Sequence, residues 1–359
     1  MERSTVDANT ILLVNAGSHA YGTATPTSDR DVRGVMVPPR DCVLGMNRVE
    51  QYEQKGDPDV VVYELRKYLA LAADCNPNII EIVFTDDADV ITVTPLGQRL
   101  RAARRMFMSK KAKFTFSGYA MSQMKRIESH RRWLLNPPEA PPVRADFGLP
   151  ERTVIPKDQL AAAEAIMRKQ VEAWENALPT FGVDVLDPAA QIEMRDNVVK
   201  TLTEIKAATD DERMLAAGRV LGLDSNFLDL LDRERHYITK RREWDAYRQW
   251  QSGRNEARAE LERQHGYDTK HGMHLVRLMQ MCEEILTTGE VHVRRPNAQE
   301  LLAIRGGAWS YERLIGWAKE QDARMDELYK TSTLPHAPDR KAINELCMDL
   351  IAESLAVRS

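Results

Sequence analysis

The spacing of apolar residues divides the chain into two parts. In the first hundred residues, short β-branched and apolar runs alternate with turn sequences, which is typical of strands. The runs at 11–17 and 29–38 predict buried strands, and those at 48–54 and 59–65, joined by KGDPD, predict a hairpin. Helical spacing follows over 64–74. This part therefore predicts a small mixed sheet with at least one helix.

Two further apolar pieces, 79–85 and 89–93, fit either a strand or a buried turn. After Thr94-Pro95, long segments rich in Ala, Leu, Glu, Lys and Arg predict helices. The predicted helices are 96–107, 109–135, 157–177, 189–208, 211–220, 226–263, 268–288, 297–304, 309–330 and 338–356. Six prolines between 136 and 156 predict a non-helical connector. We therefore expect an α+β protein with a core at 1–95 and a helical domain at 96–359.

Composition narrows the function classes. With 359 residues and a net charge of −4, the chain is not a uniformly basic nucleic-acid binder. A polyanion such as a nucleic acid would therefore have to bind at a local cluster of basic residues. No apolar run approaches the roughly 18 residues of a membrane span. The polar start MERSTVDANT lacks the apolar core of a signal peptide, and the four cysteines form no CxxC pair. We expect a cytoplasmic protein with no membrane partner.

The candidate chemistry lies in NAGSHAYGTATPTSDRDVRGV, residues 15–35. A strand ends at Gly17-Ser18, and a short helix that begins there would offer N–H groups and the Ser18 hydroxyl to a phosphate. Asp29 and Asp31 are two residues apart, so on a strand their side chains share one face. Two ionised carboxylates this close repel each other unless a cation lies between them. The pair therefore predicts a magnesium site.

GSHAYGTATPTSDRD resembles the signature of DNA polymerase beta-like nucleotidyltransferases. The matching positions are Gly17, Ser18, Gly22, Ser28, Asp29 and Asp31. Tyr21 stands where many minimal members carry Arg, and further segments resemble a bacterial and phage branch of which some members accompany RNA ligases. The resemblance is strong over 11–85 and returns over 268–315. It implies a nucleoside triphosphate as substrate, two Mg²⁺ ions with Mn²⁺ as an alternative, and phosphate contacts from Gly17, Ser18 and Ser28.

The family also uses a third carboxylate on a later strand. Asp59 opens the run DVVVYE and Glu64 closes it, so on a regular strand they lie on opposite faces. The motif favours Asp59 as a further metal ligand. Glu64 is the alternative catalytic acid, although it can also be explained as a residue at the start of a helix.

A second candidate segment is TKHGMHLVRLMQMCEEIL, residues 269–286. Lys270, His274 and Arg277 share one helical face and could hold the triphosphate. His271 and His274 do not by themselves predict a zinc site, because no acidic or cysteine ligand accompanies them in the motif. Arg294, Arg295 and Arg305 form a second, less specific basic cluster.

These features predict a metal-dependent nucleotidyltransferase that transfers a nucleoside monophosphate to an acceptor hydroxyl and releases pyrophosphate. The association with RNA ligases favours an RNA 3′ end as acceptor. A protein hydroxyl or a small molecule is the alternative acceptor. A non-catalytic nucleotide-binding or antitoxin-like module is the alternative from another class, although the intact pair Asp29 and Asp31 argues against it. The oligomeric state is left open.

Overall fold

A computed structural model describes residues 1–177, 210–254 and 256–357. The strands are β1 (Thr10–Ala16), β2 (Asp31–Met36), β3 (Gln51–Gln54), β4 (Asp59–Glu64) and β5 (Val90–Val93). The helices are α1 (Arg3–Asn9), α2 (Gly17–Tyr21), α3 (Arg40–Leu44), α4 (Leu65–Ala73), α5 (Pro77–Phe84), α6 (Pro95–Ala102), α7 (Gly118–Leu135), α8 (Lys157–Ala177), α9 (Asp210–Val220), α10 (Ser225–Ser252), α11 (Glu256–His265), α12 (Thr269–Thr288), α13 (Ala298–Arg305), α14 (Tyr311–Thr331) and α15 (Arg340–Val357).

The five strands form one mixed sheet in the order β3-β4-β2-β1-β5. β2 and β4 are parallel, and the other neighbours are antiparallel. The α+β prediction is confirmed, and so is the hairpin of β3 and β4. The prediction for 29–38 is confirmed only in its middle, because β2 begins at Asp31 and Asp29 lies in the preceding loop.

Side chains on the two sheet faces belong to different apolar clusters. Leu12, Val14 and Val35 join the main core, which extends into the helices α4, α5, α7 and α12. Val60 and Val62 belong to a smaller cluster that includes Val6 of α1. Because successive strand residues alternate between faces, Asp59 lies on the face of the main core and Glu64 on the α1 face.

The segment 79–85 is neither strand nor turn, so that prediction is wrong. It forms α5, which begins with Pro77 in the first turn and with the Asn76 side chain accepting a hydrogen bond from the Asn78 N–H. A proline at this position favours a helix start, since its missing N–H would have no helical partner there. The helix is buried on nearly all sides, so its sequence has no polar face to reveal the helical period.

Several long predicted helices are shorter in the structure. The segment 96–107 is divided into α6 and a 3₁₀ turn at Arg104–Phe107, and π-helical turns at Lys113–Ser117 precede α7. The segment 226–263 is divided after Ser252-Gly253, a pair with low helix propensity, into α10 and α11. The prediction for 189–208 lies outside the described residues.

Contacts divide the chain into two compact units. The first comprises Met1–Asn136 and Asn255–Ser359, and the second comprises Pro137–Arg254. This division by contacts differs from the predicted boundary at residue 95. The division into a catalytic core at 1–95 and a helical domain at 96–359 stays a prediction. In the second unit, Met167, Met214 and Leu231 form part of a separate small core.

The proline-rich connector contains a 3₁₀ turn at Arg144–Phe147 and otherwise no regular element before α8. The Arg144 guanidinium donates hydrogen bonds to the carboxylate of Glu234 on α10. This interaction lowers the pKa of the Glu234 carboxyl below its usual range. Among the described helices, none combines the length and the apolar character needed to cross a bilayer.

Candidate active site at the edge of the sheet

Three strand ends meet at one edge of the sheet. β1 ends at Ala16, which pairs with Asp31 at the start of β2. Asp31 is in turn paired in register with Asp59 at the start of β4. The turn after β1 and the first residues of β2 and β4 are therefore neighbours, although they are far apart in the sequence.

Gly17 is required at this edge by its own conformation and by its contact with Asp31. Its φ of +60° lies in the left-handed region, which side-chain-bearing residues rarely adopt. An added Cβ would lie within van der Waals overlap of the Asp31 carboxylate. The glycine thus lets the backbone of the turn approach that carboxylate directly.

Asp31 and Asp59 share one cationic partner. Nη2 of Arg33 lies 3.2 Å from Oδ1 of Asp31 and 2.9 Å from Oδ2 of Asp59. Nη1 of Arg33 donates hydrogen bonds to the carbonyl oxygens of Val32 and Asp59. Arg33 therefore holds the two carboxylates side by side on the face of the sheet that carries the main core.

Glu64 lies at the other end of β4, where it is paired with Met36. Its buried carboxylate accepts a hydrogen bond from the Lys67 N–H and forms an ion pair with Arg66. The residue therefore serves as the N-cap of α4. The structure does not bring it together with Asp29 and Asp31.

The loop before β2 places Asp29 and Ser28 beside Asp31. Asp29 is exposed, and its carboxylate has no ion pair or hydrogen bond within the described part of the chain. The Ser28 hydroxyl accepts a hydrogen bond from the Thr25 N–H at 2.9 Å, so it shapes the loop. Ser18 lies in α2, which has only five residues.

A cavity of about 380 Å³ opens in front of this edge. Its lining includes Gly17, Ser18, Ser28, Asp29 and Asp31, together with side chains from α5, α7, α12 and the end of α13. This volume lies in the range of about 300–1,000 Å³ that is usual for small-molecule sites. We call the end of the sheet that carries Asp29, Asp31 and Asp59 the carboxylate edge. This edge and the helices line one shared cavity within the first unit.

Lys270, His274 and Arg277, which share one face of α12, all line this cavity. They differ in charge and exposure. Lys270 is exposed, whereas burial and the charges of Arg277 and Lys270 lower the pKa of His274 to about 3. His274 is therefore neutral at neutral pH and can offer a hydrogen bond but no positive charge.

Arg277 is buried in a network with Tyr21 and Glu81. Its Nη1 donates to Glu81 Oε1 at 2.5 Å, and the Tyr21 hydroxyl donates to Glu81 Oε2 at 2.6 Å. The guanidinium carbon lies 3.8 Å from the centre of the Tyr21 ring. Burial raises the pKa of Tyr21, so the phenol keeps its proton. The network fixes α12 against α2 and α5, and it leaves Arg277 with one carboxylate already bound.

Arg126 is a further cavity residue that the sequence did not predict. It lies on α7 with Tyr119 and Gln123 at a spacing of i, i+4 and i+7, and all three line the cavity. Arg305, at the end of α13, also lines it. Neither Arg126 nor Arg305 has an ion pair among the residues that the structure describes.

The other two arginines of the predicted basic cluster lie elsewhere. Arg294 forms ion pairs with Asp89 at 2.6 Å and Asp86 at 3.8 Å, and Arg295 forms a buried pair with Glu284. Both charges are thus balanced outside the cavity. Of this cluster, only Arg305 is among the described residues that line the cavity with Asp29 and Asp31.

The carboxylate edge has the donor set of a hard divalent cation. Asp29 and Asp31 supply charged oxygens to one cavity. Asp59 is paired with Asp31 on the neighbouring strand but is not among the described residues that line the cavity. Magnesium prefers such oxygen ligands and usually needs only one or two carboxylates in addition to substrate phosphates. Arg33 already places a cation between Asp31 and Asp59, which indicates how strongly the two carboxylates need positive charge nearby.

Parts of this chain match a known protein and a known family. The chain is 35% identical over 79 residues to an uncharacterized 38.9 kDa protein from the nrdC-mobD intergenic region of Enterobacteria phage T4. That alignment covers 19% of this chain and 24% of the phage protein, so the chain spans about a quarter of the length of that relative. No solved structure gave a significant match. Residues 1–137 match the family described as RlaP, the RNA repair pathway DNA polymerase beta family, and this match supports a DNA polymerase beta-like nucleotidyltransferase branch for that part of the chain.

Proposed function

We propose that this protein is a metal-dependent nucleotidyltransferase. It transfers a nucleoside monophosphate from a nucleoside triphosphate to an acceptor hydroxyl and releases pyrophosphate. One observation carries the proposal: the carboxylates of Asp29 and Asp31 and the cations Arg126, Lys270 and Arg305 line the same cavity. A metal–triphosphate complex has the complementary arrangement, because its metal ions need carboxylates and its phosphates need cations.

Asp29 and Asp31 would hold Mg²⁺ or Mn²⁺, with Asp59 as the third carboxylate. When bound, such ions polarise the phosphoryl oxygens and neutralise the charge that develops on the leaving pyrophosphate. Asp59 is favoured over Glu64 because it is in register with Asp31, whereas Glu64 already caps α4. Gly17 and Arg33 act as positioning residues for these carboxylates.

The reaction forms one bond and breaks one bond. The acceptor oxygen attacks the α-phosphorus, and the bond to the β-phosphate oxygen breaks so that pyrophosphate leaves. The proton of the acceptor hydroxyl passes to a carboxylate oxygen of Asp59, the acid nearest to Asp31 on the adjacent strand. No residue of the chain is consumed, so one set of carboxylates serves successive turnovers.

The cavity-lining side chains of α7, α12 and the end of α13, which we call the helical wall, would bind the triphosphate. Lys270, Arg126 and Arg305 supply positive charge, while neutral His274 contributes a hydrogen bond. Arg277 is bound to Glu81 and is therefore better placed to shape the wall than to bind phosphate. Ser18 and Gly17 line the same cavity and would contact the phosphates near the metal ions.

An RNA 3′ end is the acceptor that we propose. The family that residues 1–137 match is described as part of an RNA repair pathway. Transfer to a protein hydroxyl or to a small molecule would replace this acceptor without changing the chemistry at the carboxylates.

Labelled nucleotide transfer tests the proposal. The full chain is incubated with each α-labelled triphosphate, Mg²⁺ and single-stranded RNA, and both pyrophosphate release and RNA labelling are measured. We expect RNA to gain one or more nucleotides at its 3′ end. In the double variant Asp29→Asn and Asp31→Asn, release should fall at least about 10³-fold, since metal stabilisation of the reaction is worth several kcal/mol.

Asp41→Asn provides a matched control, because Asp41 is an exposed aspartate of the same unit in α3, away from the cavity. This variant should keep full activity. Pyrophosphate release with an RNA that has a blocked 3′ end would indicate a different acceptor. Tight triphosphate binding without turnover on RNA, protein or small-molecule acceptors would overturn the enzyme proposal in favour of a nucleotide-binding module.

A further inference from the structure

A second group of potential metal ligands lies beside the cavity. His130 belongs to α7, Asp268 is the N-cap of α12, and His271 lies in the first turn of α12. One ligand atom from each residue lies within 4.8 Å of the other two. This group is separate from Asp29 and Asp31, so it requires its own explanation.

The distances in this group are longer than hydrogen bonds. Nδ1 of His130 lies 4.0 Å, and Nε2 of His271 lies 3.5 Å, from Oδ2 of Asp268. The other carboxylate oxygen, Oδ1, accepts a hydrogen bond from the His271 N–H as part of the helix cap. The second oxygen of a fully buried carboxylate is thereby directed toward two imidazoles at a spacing that leaves room between them.

We propose that His130, Asp268 and His271 bind a Zn²⁺-type metal ion. Two imidazole nitrogens and one carboxylate oxygen form a common zinc donor set, whereas Mg²⁺ prefers oxygen ligands alone. Around tetrahedral zinc, with bonds of about 2.0–2.1 Å, neighbouring ligand atoms lie roughly 3.4 Å apart. The distances of 3.5 and 4.0 Å from Oδ2 of Asp268 are close to this value, and the two imidazoles must approach each other from a separation of at most 4.8 Å.

The three side chains are held in place before any ion binds. The His130 ring stacks on Trp133, with ring centres 5.5 Å apart, and the cap hydrogen bond fixes the Asp268 carboxylate. His271 is restrained by its position in the first helical turn. A site that is organised in advance loses little conformational entropy when an ion binds.

Three protein ligands leave one coordination position for water or another oxygen ligand. His271 also lines the candidate cavity, so the ion would lie at its margin. It would join α7, which carries Arg126, to the start of α12, which carries Lys270. The site would thereby fix the distance between two cations of the helical wall, and the inference does not depend on nucleotidyl transfer.

Calorimetric titration with zinc tests the inference. The full chain carries Asp29→Asn and Asp31→Asn, so that the carboxylate edge cannot bind the ion, and the protein is freed of metals by a chelator. In the presence of excess Mg²⁺ we expect one equivalent of Zn²⁺ to bind. His130→Ala or His271→Ala should each weaken binding at least about 100-fold, more than the loss of an outer-shell partner costs.

His292→Ala is the control, because His292 is an exposed histidine near Glu284 and away from the group. It should leave zinc binding unchanged. Asp268→Asn keeps an oxygen for the helix cap but removes the charge, so it should weaken binding while circular dichroism remains that of the parent. Cobalt should give the visible absorption of a tetrahedral site. Absence of zinc binding by the parent, or zinc binding by His130→Ala and His271→Ala that is as tight as that of the parent, would overturn the inference.

Discussion

The contact between Gly17 and Asp31 allows a sharp test of how the carboxylate edge is positioned. We predict that Gly17→Ala reduces activity much more than it reduces stability. Two costs arise in this variant. The left-handed backbone at φ +60° costs about 1–2 kcal/mol with a side chain present. The new Cβ also overlaps Oδ2 of Asp31 and must push that carboxylate away.

The size of this displacement follows from the structure. The added Cβ lies 2.2 Å from Oδ2 of Asp31, whereas non-bonded heavy atoms prefer separations of about 3.5 Å, so the two groups must separate by about 1 Å. A misplacement of about 1 Å in a catalytic site can cost about 10²-fold in rate. We therefore expect activity to fall about 100-fold at saturating triphosphate, and the Mg²⁺ concentration for half-maximal activity to rise.

Gly22→Ala separates the two costs. Gly22 also has a positive φ, +73°, but its added Cβ would meet no atom closer than 3.6 Å. The variant should therefore lose only the backbone cost of about 1–2 kcal/mol of unfolding free energy, which Gly17→Ala also pays, and should keep most of its activity. Urea unfolding and pyrophosphate release are measured for both proteins. If the two variants have the same activity, Gly17 does not act through the position of Asp31.

Further predictions concern the helical wall and the two units. Arg126→Ala and Arg305→Ala should each raise the KM for triphosphate about 10-fold or more, because a hydrogen bond to a charged group is worth about 1.5–3 kcal/mol; steady-state kinetics measure this. Glu81→Gln should lower the unfolding free energy by about 3–5 kcal/mol in chemical denaturation, because it leaves the buried Arg277 guanidinium without its carboxylate. The pKa of Glu234 is lowered in the folded state, so its ionised carboxylate contributes fully to the free energy of unfolding above the ordinary glutamate pKa of about 4.3. This contribution is lost as the pH falls below that value. In Glu234→Gln, the free energy of unfolding should therefore decrease less steeply with falling pH in the acid range.

Matched variants accompany these predictions. Arg294→Ala removes a cation that is paired with Asp89 outside the cavity, so it should leave KM unchanged. Glu353→Gln breaks an exposed pair with Arg99 and should cost no more than about 1 kcal/mol. If the KM for triphosphate rises equally in Arg294→Ala and Arg126→Ala, triphosphate binding depends on the net charge of the protein and not on contacts with the helical wall. If the free energy of unfolding decreases equally steeply with falling pH in Glu234→Gln and in the parent, the pKa of Glu234 is not lowered by folding.

The carboxylate edge could be predicted because its parts are local in sequence. Gly17, Ser18, Asp29 and Asp31 lie within 15 residues, and the strand–turn–strand pattern around them is visible in the apolar spacing. Asp59 could be proposed from its place at the start of an apolar run. The choice between Asp59 and Glu64 needed the register of β2 and β4, which the sequence does not reveal.

Other features depend on packing between distant segments. Arg126 faces the cavity only because α7 packs against α12, and nothing in its neighbouring sequence distinguishes it from the other basic residues of that helix. His271 lacked an evident set of ligands in its motif, since His130 comes from a different helix and Asp268 is only the first residue of the predicted helix 268–288. The helix α5 was missed because a fully buried helix and a buried strand have similar apolar sequences.

The central claim is that Asp29 and Asp31 hold divalent ions against the phosphates of a nucleotide. Calorimetric binding of a non-hydrolysable triphosphate, with and without Mg²⁺, tests it most directly. We predict tight binding only when Mg²⁺ is present, and loss of that binding in the double variant Asp29→Asn and Asp31→Asn. Equal binding without Mg²⁺, or unchanged binding in the double variant, would contradict the claim.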